Sequence, residues 1–354
     1  MDAAQLPDWI YTEPARARAK SSATGRPLLL YWTADWCPPC QEMRVTVLRT
    51  PEFARVSPEW ILAELSGDAP DAQVWGERLR LTTYPTILVL SPAGDEIVRL
   101  PGGLTAARFC EVMEVGRVAQ RGVAALTDAI LHGNGAPPTR AEVTLLAYHS
   151  WRQDTHSLTA GARVRFFRGL VPLVPAALGD ERARVVAHRV VEESAAVSAL
   201  SPANEAGAAS RAKPANSMRP ADDANGVGSE STTYAELGRQ FLDVLSGPAA
   251  TYANLYYLNV EPRPATTLLT EKGGIDRGFL IAAWSAAIET SLAEEPLSGT
   301  ERLIAHAALV TLFKARDESA EVAPKLVQRC ARLARELDRT TTDIKERQSV
   351  MNMA

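Results

Sequence analysis

The chain has 354 residues, of which 46% are hydrophobic and 23% charged, an ordinary balance for a globular protein long enough to hold more than one core. Its formal charge of −4, with no basic stripe interleaved with aromatics, argues against a nucleic-acid binder, and no apolar run approaches the ~20 residues that span a bilayer. Four cysteines are too few for a disulfide scaffold at this length. The opening Met1-Asp2-Ala3-Ala4-Gln5 has no basic region followed by an apolar one, so no signal peptide is expected. The expected compartment is the cytoplasm, or the periplasm if the chain is a processed mature form.

Residues 13–23, rich in Ala, Arg and Lys, read as a helix with Pro14 in its first turn, and Gly25-Arg26-Pro27 breaks it. An apolar strand spans 28–33. A helix runs from Cys37 to about Leu48, and Thr50-Pro51-Glu52 starts a short helical piece through Val56. Trp60 to Leu65 reads as a buried strand ended by Asp68-Ala69-Pro70. Asp71 is expected to cap a helix through Leu81. Strands Pro85–Leu90 and Glu96–Leu100 flank the turn Ser91-Pro92-Ala93-Gly94-Asp95 and pair antiparallel. Thr105 caps a closing helix with Phe109, Val112 and Met113 on one side.

From about Val118 no strand pattern appears. Helices are expected over 121–132, 139–152, 158–170, 181–200, 231–246, 249–258, 276–293, 300–316 and 322–338. In the last, Val322, Leu326, Cys330, Leu333 and Leu337 recur at helical spacing. Residues 201–230, with almost no apolar bulk, read as a disordered loop. The fold class is thus an α/β domain followed by an all-α region. The expected division is 1–117, 118–200, 201–230 and 231–354, with helix pairs that can stack as a solenoid.

The chemistry concentrates in Tyr31-Trp32-Thr33-Ala34-Asp35-Trp36-Cys37-Pro38-Pro39-Cys40. Cys37 falls where a buried strand gives way to a helix, whose free N–H groups and dipole favour a thiolate. Cys40 lies one turn along and can close a disulfide with it. Prolines are tolerated in a first helical turn. A structural zinc site would need a second Cys/His pair at suitable spacing, and none is present.

This stretch resembles the thioredoxin superfamily, in particular the TlpA-like proteins and the C-terminal thioredoxin domain of DsbD-type reductases. Leu81-Thr82-Thr83-Tyr84-Pro85-Thr86 before an apolar run, and Leu100-Pro101-Gly102-Gly103-Leu104, match further motifs of that family. The resemblance implies a thioredoxin fold over residues 27 to about 116 and a cis Pro85. It also implies a substrate groove lined by Trp36, Tyr84, Pro85 and Gly102. Cys37 would attack a substrate disulfide and Cys40 resolve the mixed disulfide. The sequence departs from the family at Tyr31, where thioredoxins carry a buried acid, and at Glu64, where they carry a lysine. Glu64 is then the remaining candidate to take a proton from Cys40.

The reading is a thiol–disulfide oxidoreductase acting on protein disulfides and fed by a redox donor, with no cofactor and no metal. The alternative is a helical interaction protein whose thioredoxin fold senses redox state or only binds. Cys110 and Cys330 read as small buried hydrophobes. His149 and His156, with Trp151 and Asp154 nearby, read as satisfied or surface groups rather than metal ligands. Trp284 and Phe279–Ile281 read as helix core. The helices beyond 118 carry no chemical motif and are expected to bind a protein partner.

Overall fold

The computed structural model describes residues 7–154, 157–199, 227–315 and 322–340. The expected loop therefore lies outside the described residues as far as 226, as do His156 and the tail from 341. The described chain divides into two compact units, the first running to Arg182 and the second beginning at Ala183.

The first unit is built on a five-stranded mixed sheet in the order β1-β3-β2-β4-β5. Its strands are β1 (Trp9–Tyr11), β2 (Leu28–Thr33), β3 (Ile61–Ser66), β4 (Thr86–Leu90) and β5 (Glu96–Pro101). β3 pairs parallel with β1 and β2, while β4 pairs antiparallel with β2 and β5. β1 gives no sequence signal because three residues are too short to show a period; it pairs through Trp9, Ile10 and Tyr11.

Every residue of β2 is buried, as expected for a central strand covered on both faces. Leu28, Leu30 and Trp32 join Ile61, Ala63, Leu65, Leu88 and Leu90 in one core layer. That layer lies against α1 (Pro14–Thr24) and α4 (Ala72–Leu79). Leu29 and Tyr31 point to the opposite face, as the two-residue period of a strand requires. On that side lie α2 (Pro38–Met43), continued by a π-helical turn Arg44–Leu48, then α3 (Pro51–Val56) and α5 (Ala106–Val118). Phe53 of α3 bridges them, 6.1 Å from the Trp9 ring and 6.2 Å from Phe109. Thr105 caps α5 through Arg108 N–H as expected, whereas Asp71 occupies the cap position of α4 without making the side-chain bond.

The helices beyond 118 do not start a separate body at once. α6 (Val123–His132), α7 (Arg140–Tyr148) and α8 (Ala160–Leu170) belong to the first unit, with α6 and α7 against β5 and α7 against α5. Gly116 of α5 makes the close approach workable: a Cβ there would already touch Val89, Ile97 and Leu145 at 3.7–3.9 Å. α7 ends at Tyr148, short of the expected 152, and the chain turns back over residues 149–154. Thr139 and Glu142 form a full capping box at its start. Arg121, before α6, donates to both oxygens of Glu142 at 2.8 and 2.6 Å.

The second unit is helical among its described residues. It holds most of α9 (Gly179–Ala199), then α10 (Val227–Ser246), α11 (Tyr252–Asn259) and α12 (Pro262–Thr267), which continues as a π-helical turn Leu268–Lys272. α13 (Arg277–Glu294), α14 (Gly299–Ala315) and α15 (Val322–Thr340) follow. α10 starts at Val227, inside the stretch expected to be a loop, and the helix over 262–272 lies outside the expected set because Pro262 and Pro264 disguise it. Pro262 sits in the first turn, where its missing donor costs nothing. Trp284 is fully buried, its indole donating to Asn259 Oδ1 at 3.0 Å and its ring 5.4 Å from Phe241. Phe279, expected beside it in the core, is instead 61% exposed; it falls outside the buried stripe of Leu280, Ile281, Trp284 and Ile288.

The Arg121–Glu142 pair holds the Glu142 carboxyl down to about 2 from its ordinary 4.5. A depressed carboxyl stabilises the fold above its ordinary value, and that contribution fades as pH falls through the depressed one. Glu142→Ala is therefore expected to lose roughly 1.5–3 kcal/mol in urea unfolding at neutral pH. The gap to wild type should close as pH falls from 4.5 toward 2. A gap that stayed constant over that range would mean the ionised carboxylate is not the stabilising species.

Candidate functional site

β2 ends at Thr33 and β4 begins at Thr86, and the register pairs Trp32 with Thr86. The segment carrying Cys37 and the Tyr84-Pro85 segment therefore emerge at the same end of the sheet. Cys37 caps α2 with extended backbone, and Pro38 and Pro39 fill the first turn. The Cys40 backbone N–H donates to Cys37 Sγ at 3.3 Å. That donor, shared with the Cys37 carbonyl at 3.1 Å, faces the sulfur and favours a thiolate there once the bond is reduced. Cys37 and Cys40 are joined in a disulfide with their Cα atoms 5.3 Å apart. Cys37 is 3% exposed and Cys40 fully buried.

The four expected groove residues fall around this pair as follows. The Tyr84–Pro85 peptide bond is cis. The Tyr84 ring stacks on Trp32 at 5.1 Å and meets the edge of Trp36 at 5.5 Å. Trp36 is 44% exposed, a large apolar surface left open at the end of the sheet. Gly102 lies against Pro85: a Cβ on it would come within 3.0 Å of the Pro85 ring. Tyr84 is fitted as tightly, since a Cβ on Gly67 would lie 1.8 Å from its hydroxyl. Burial pushes the Tyr84 hydroxyl up from its ordinary value, so it stays protonated.

Several contributors have no signal in the sequence. Asp68 accepts from the Trp36 indole at 2.9 Å and from the Asp35 backbone N–H at 3.2 Å, tying the approach to Cys37 onto the loop after β3. Arg44, one turn beyond Cys40, donates to Glu64 Oε1 at 2.8 Å and lies 5.7 Å from the Tyr31 ring. Tyr31 is buried and donates its hydroxyl to the Cys40 carbonyl at 2.8 Å. The two departures from the thioredoxin pattern are thus joined under the disulfide: a phenol stands in the place of the acid, and the acid has moved to the neighbouring strand beside an arginine. Burial raises the Glu64 carboxyl above its ordinary value, an effect that Arg44 only partly offsets.

The sequence over residues 14–116 matches the family described as Thioredoxin-like domain. Residues 14–116 are a thioredoxin-like domain. The chain is also 33% identical over 107 residues to the Thiol:disulfide interchange protein DsbD 1 of Pseudomonas aeruginosa, a match covering 28% of this chain and 18% of that protein's length. Among solved structures, it is similar to a thioredoxin from Thermus thermophilus, at 31% identity over 37% of this chain and 100% of that one, with a TM-score of 0.31. The C-terminal domain of Neisseria meningitidis DsbD in its reduced form matches at 23% identity over 30% of this chain and 100% of that one, with a TM-score of 0.28.

The other titratable groups lie apart from these thiols' chemistry. Burial pushes the Cys110 thiol up to about 11 and raises Cys330, which keeps both protonated and unreactive. Glu96, His149 and Asp154 converge closely enough to present one atom each to a cation, but their atoms are engaged. His149 Nδ1 accepts the Arg99 backbone N–H at 3.2 Å, which leaves its Nε2–H to face Asp154 at 3.0 Å. Glu96 binds the Arg99 guanidinium through both oxygens at 3.0 and 2.9 Å. Burial works against the Asp154 carboxylate, yet bonds from His149 and Ser157 hold its carboxyl well below the ordinary range.

The Gly67–Tyr84 fit gives a direct test. Gly67→Ala is expected to displace the Tyr84 ring from Trp32, cost about 1–3 kcal/mol, and change tryptophan fluorescence. Tyr84→Phe in the same background should recover part of the loss. No recovery would mean that the methyl group clashes elsewhere.

Proposed function

We propose that this domain is a thiol–disulfide oxidoreductase acting on protein disulfides. The observation that carries the reading is the Cys37–Cys40 pair at the head of α2, with a backbone donor on Cys37 Sγ at 3.3 Å. The likeness to a protein called a thiol:disulfide interchange protein supports it. In the reductive direction the Cys37 thiolate attacks one sulfur of a substrate disulfide, forming a mixed disulfide and releasing the other substrate sulfur as a thiolate. Cys40 then loses its proton and attacks Cys37 Sγ. The second substrate thiolate leaves, the Cys37–Cys40 bond forms, and two electrons have passed to the substrate. A donor dithiol returns the pair to the reduced state.

Glu64 is our candidate for the group that takes the Cys40 proton. It is the half-buried acid of the cluster beneath the disulfide, and its raised affinity for protons suits a base that must accept one from a thiol. Protein recognition we assign to the open aromatic face of Trp36 and Tyr84, and to the helices beyond residue 118. The second reading, a redox sensor or binding module, is favoured by one observation: Tyr31 occupies the buried position where the family's acid would stand. Sustained turnover of a disulfide separates the two.

Cys37→Ser is expected to abolish reduction of a model disulfide, while Cys40→Ser should accumulate mixed disulfides. Faster alkylation of Cys40 than Cys37 at neutral pH would reverse the assignment. Glu64→Gln keeps a partner for Arg44 but removes the base. It should lengthen the lifetime of the mixed disulfide by about 10²-fold, measured by rapid acid quench, and an unchanged lifetime would leave Glu64 as a partner of Arg44 alone.

A further inference from the structure

Pro85 is buried, precedes the first paired residue of β4, and has no N–H. Its carbonyl oxygen accepts a hydrogen bond from Gln153 Nε2 at 3.0 Å. That donor comes from 68 residues further along the chain, beyond the thioredoxin-like domain, in the turn that follows α7.

The turn is firmly held. The Ser150 N–H donates to Arg99 O at 2.7 Å on the outer edge of β5. His149 accepts from Arg99 N–H and faces Asp154, so the first and last residues of the turn are clamped together. Gln153 N–H and Asp154 N–H both donate to the Ser150 carbonyl at 3.0 Å. Trp151 is 1% exposed, packed 4.5 Å from His149 and 4.7 Å from Phe166, and its carbonyl accepts from Arg163 at 2.9 Å. A side chain carried on such a turn reaches Pro85 at little further entropic cost. Without it, a buried carbonyl would lose its partner at the end of the sheet where the thiols lie.

We propose that Gln153 is a positioning residue of the thiol site. Through it the helices appended to the thioredoxin-like domain hold the Tyr84-Pro85 edge in the conformation that pairs with an extended polypeptide substrate. The proposal rests on the oxidoreductase reading above. An incoming strand pairs with backbone, so small displacements of that edge weaken its binding. A small aromatic disulfide needs only Cys37 and makes no strand pairing. Gln153 therefore governs reactions with polypeptides and leaves those with small disulfides alone.

The test uses the full chain, reduced, with two probes: 5,5′-dithiobis(2-nitrobenzoic acid) as the small disulfide and insulin as the polypeptide disulfide. Gln153→Met keeps the volume and removes the donor; Gln153→Glu keeps the shape and replaces the donor with an acceptor. Both variants are expected to lower kcat/KM for insulin about tenfold, chiefly through KM, and to leave the small disulfide within about twofold of wild type. Amide exchange at Tyr84 and Thr86 should quicken in both variants. Gln153→Asn in the place of either should not restore the wild-type values, because its shorter arm cannot reach. Wild-type kinetics on insulin in both variants would overturn the proposal, as would equal slowing on the two probes, which marks a general loss of structure. A wild-type protein inert to both probes would instead overturn the oxidoreductase reading and this proposal with it.

Discussion

The first unit depends on a single buried arginine. Arg99 is 3% exposed, and a guanidinium taken so far from water must have its donors satisfied. It donates to the Arg80 carbonyl at 2.7 Å and the Leu79 carbonyl at 3.1 Å, the unpaired end of α4, and to Glu96. A cation at a helix C-terminus also meets the negative end of the dipole. The Arg99 backbone closes the sheet as well, because the N–H and C=O that an edge strand leaves open are taken by His149 and Ser150. One residue thus closes the helix packed on one face and the exposed edge of the sheet.

That edge closure explains why the chain does not part into a thioredoxin-like domain and a free helical region at residue 117. α6, α7 and α8 lie in the same compact unit as the sheet, and the turn after α7 reaches the carbonyl of Pro85. The helices bring two things that the minimal fold lacks: a cover for β5 and a polar arm at the thiol end. The same closeness is visible in what glycine permits. Gly67 and Gly102 leave room for Tyr84 and Pro85 where any side chain would intrude.

The thiols differ because their surroundings differ. Cys110 is buried within α5, and burial raises its affinity for the proton. Cys37 also has little exposed surface, yet it meets a backbone donor at the head of a helix. Exposure alone does not separate them; the backbone donor on the Cys37 sulfur does. The Tyr31–Arg44–Glu64 cluster carries the same lesson, since its acid stands on the neighbouring strand opposite Tyr31, whose hydroxyl reaches the Cys40 carbonyl.

Much of the first domain is legible in the sequence because its signals are local. Buried runs such as Leu28–Thr33, the Cys-Pro-Pro-Cys turn, Tyr84-Pro85-Thr86 and the Thr105 cap each depend on neighbours within a few residues, so their spacing carries the strands, the helix starts and the placing of Cys37 against Cys40. β1 is too short to show a period, Phe279 lies one position off the buried stripe of its helix, and Asp71 takes the cap position without making the bond. The partners of the site are decided by the tertiary fold alone. Asp68 on Trp36, Arg44 on Glu64, His149 on Arg99 and Gln153 on Pro85 are joined across 20 to 68 residues. A polar side chain bears no mark in sequence of which distant backbone group it will satisfy; only the packed sheet and helices determine which donors and acceptors are buried together.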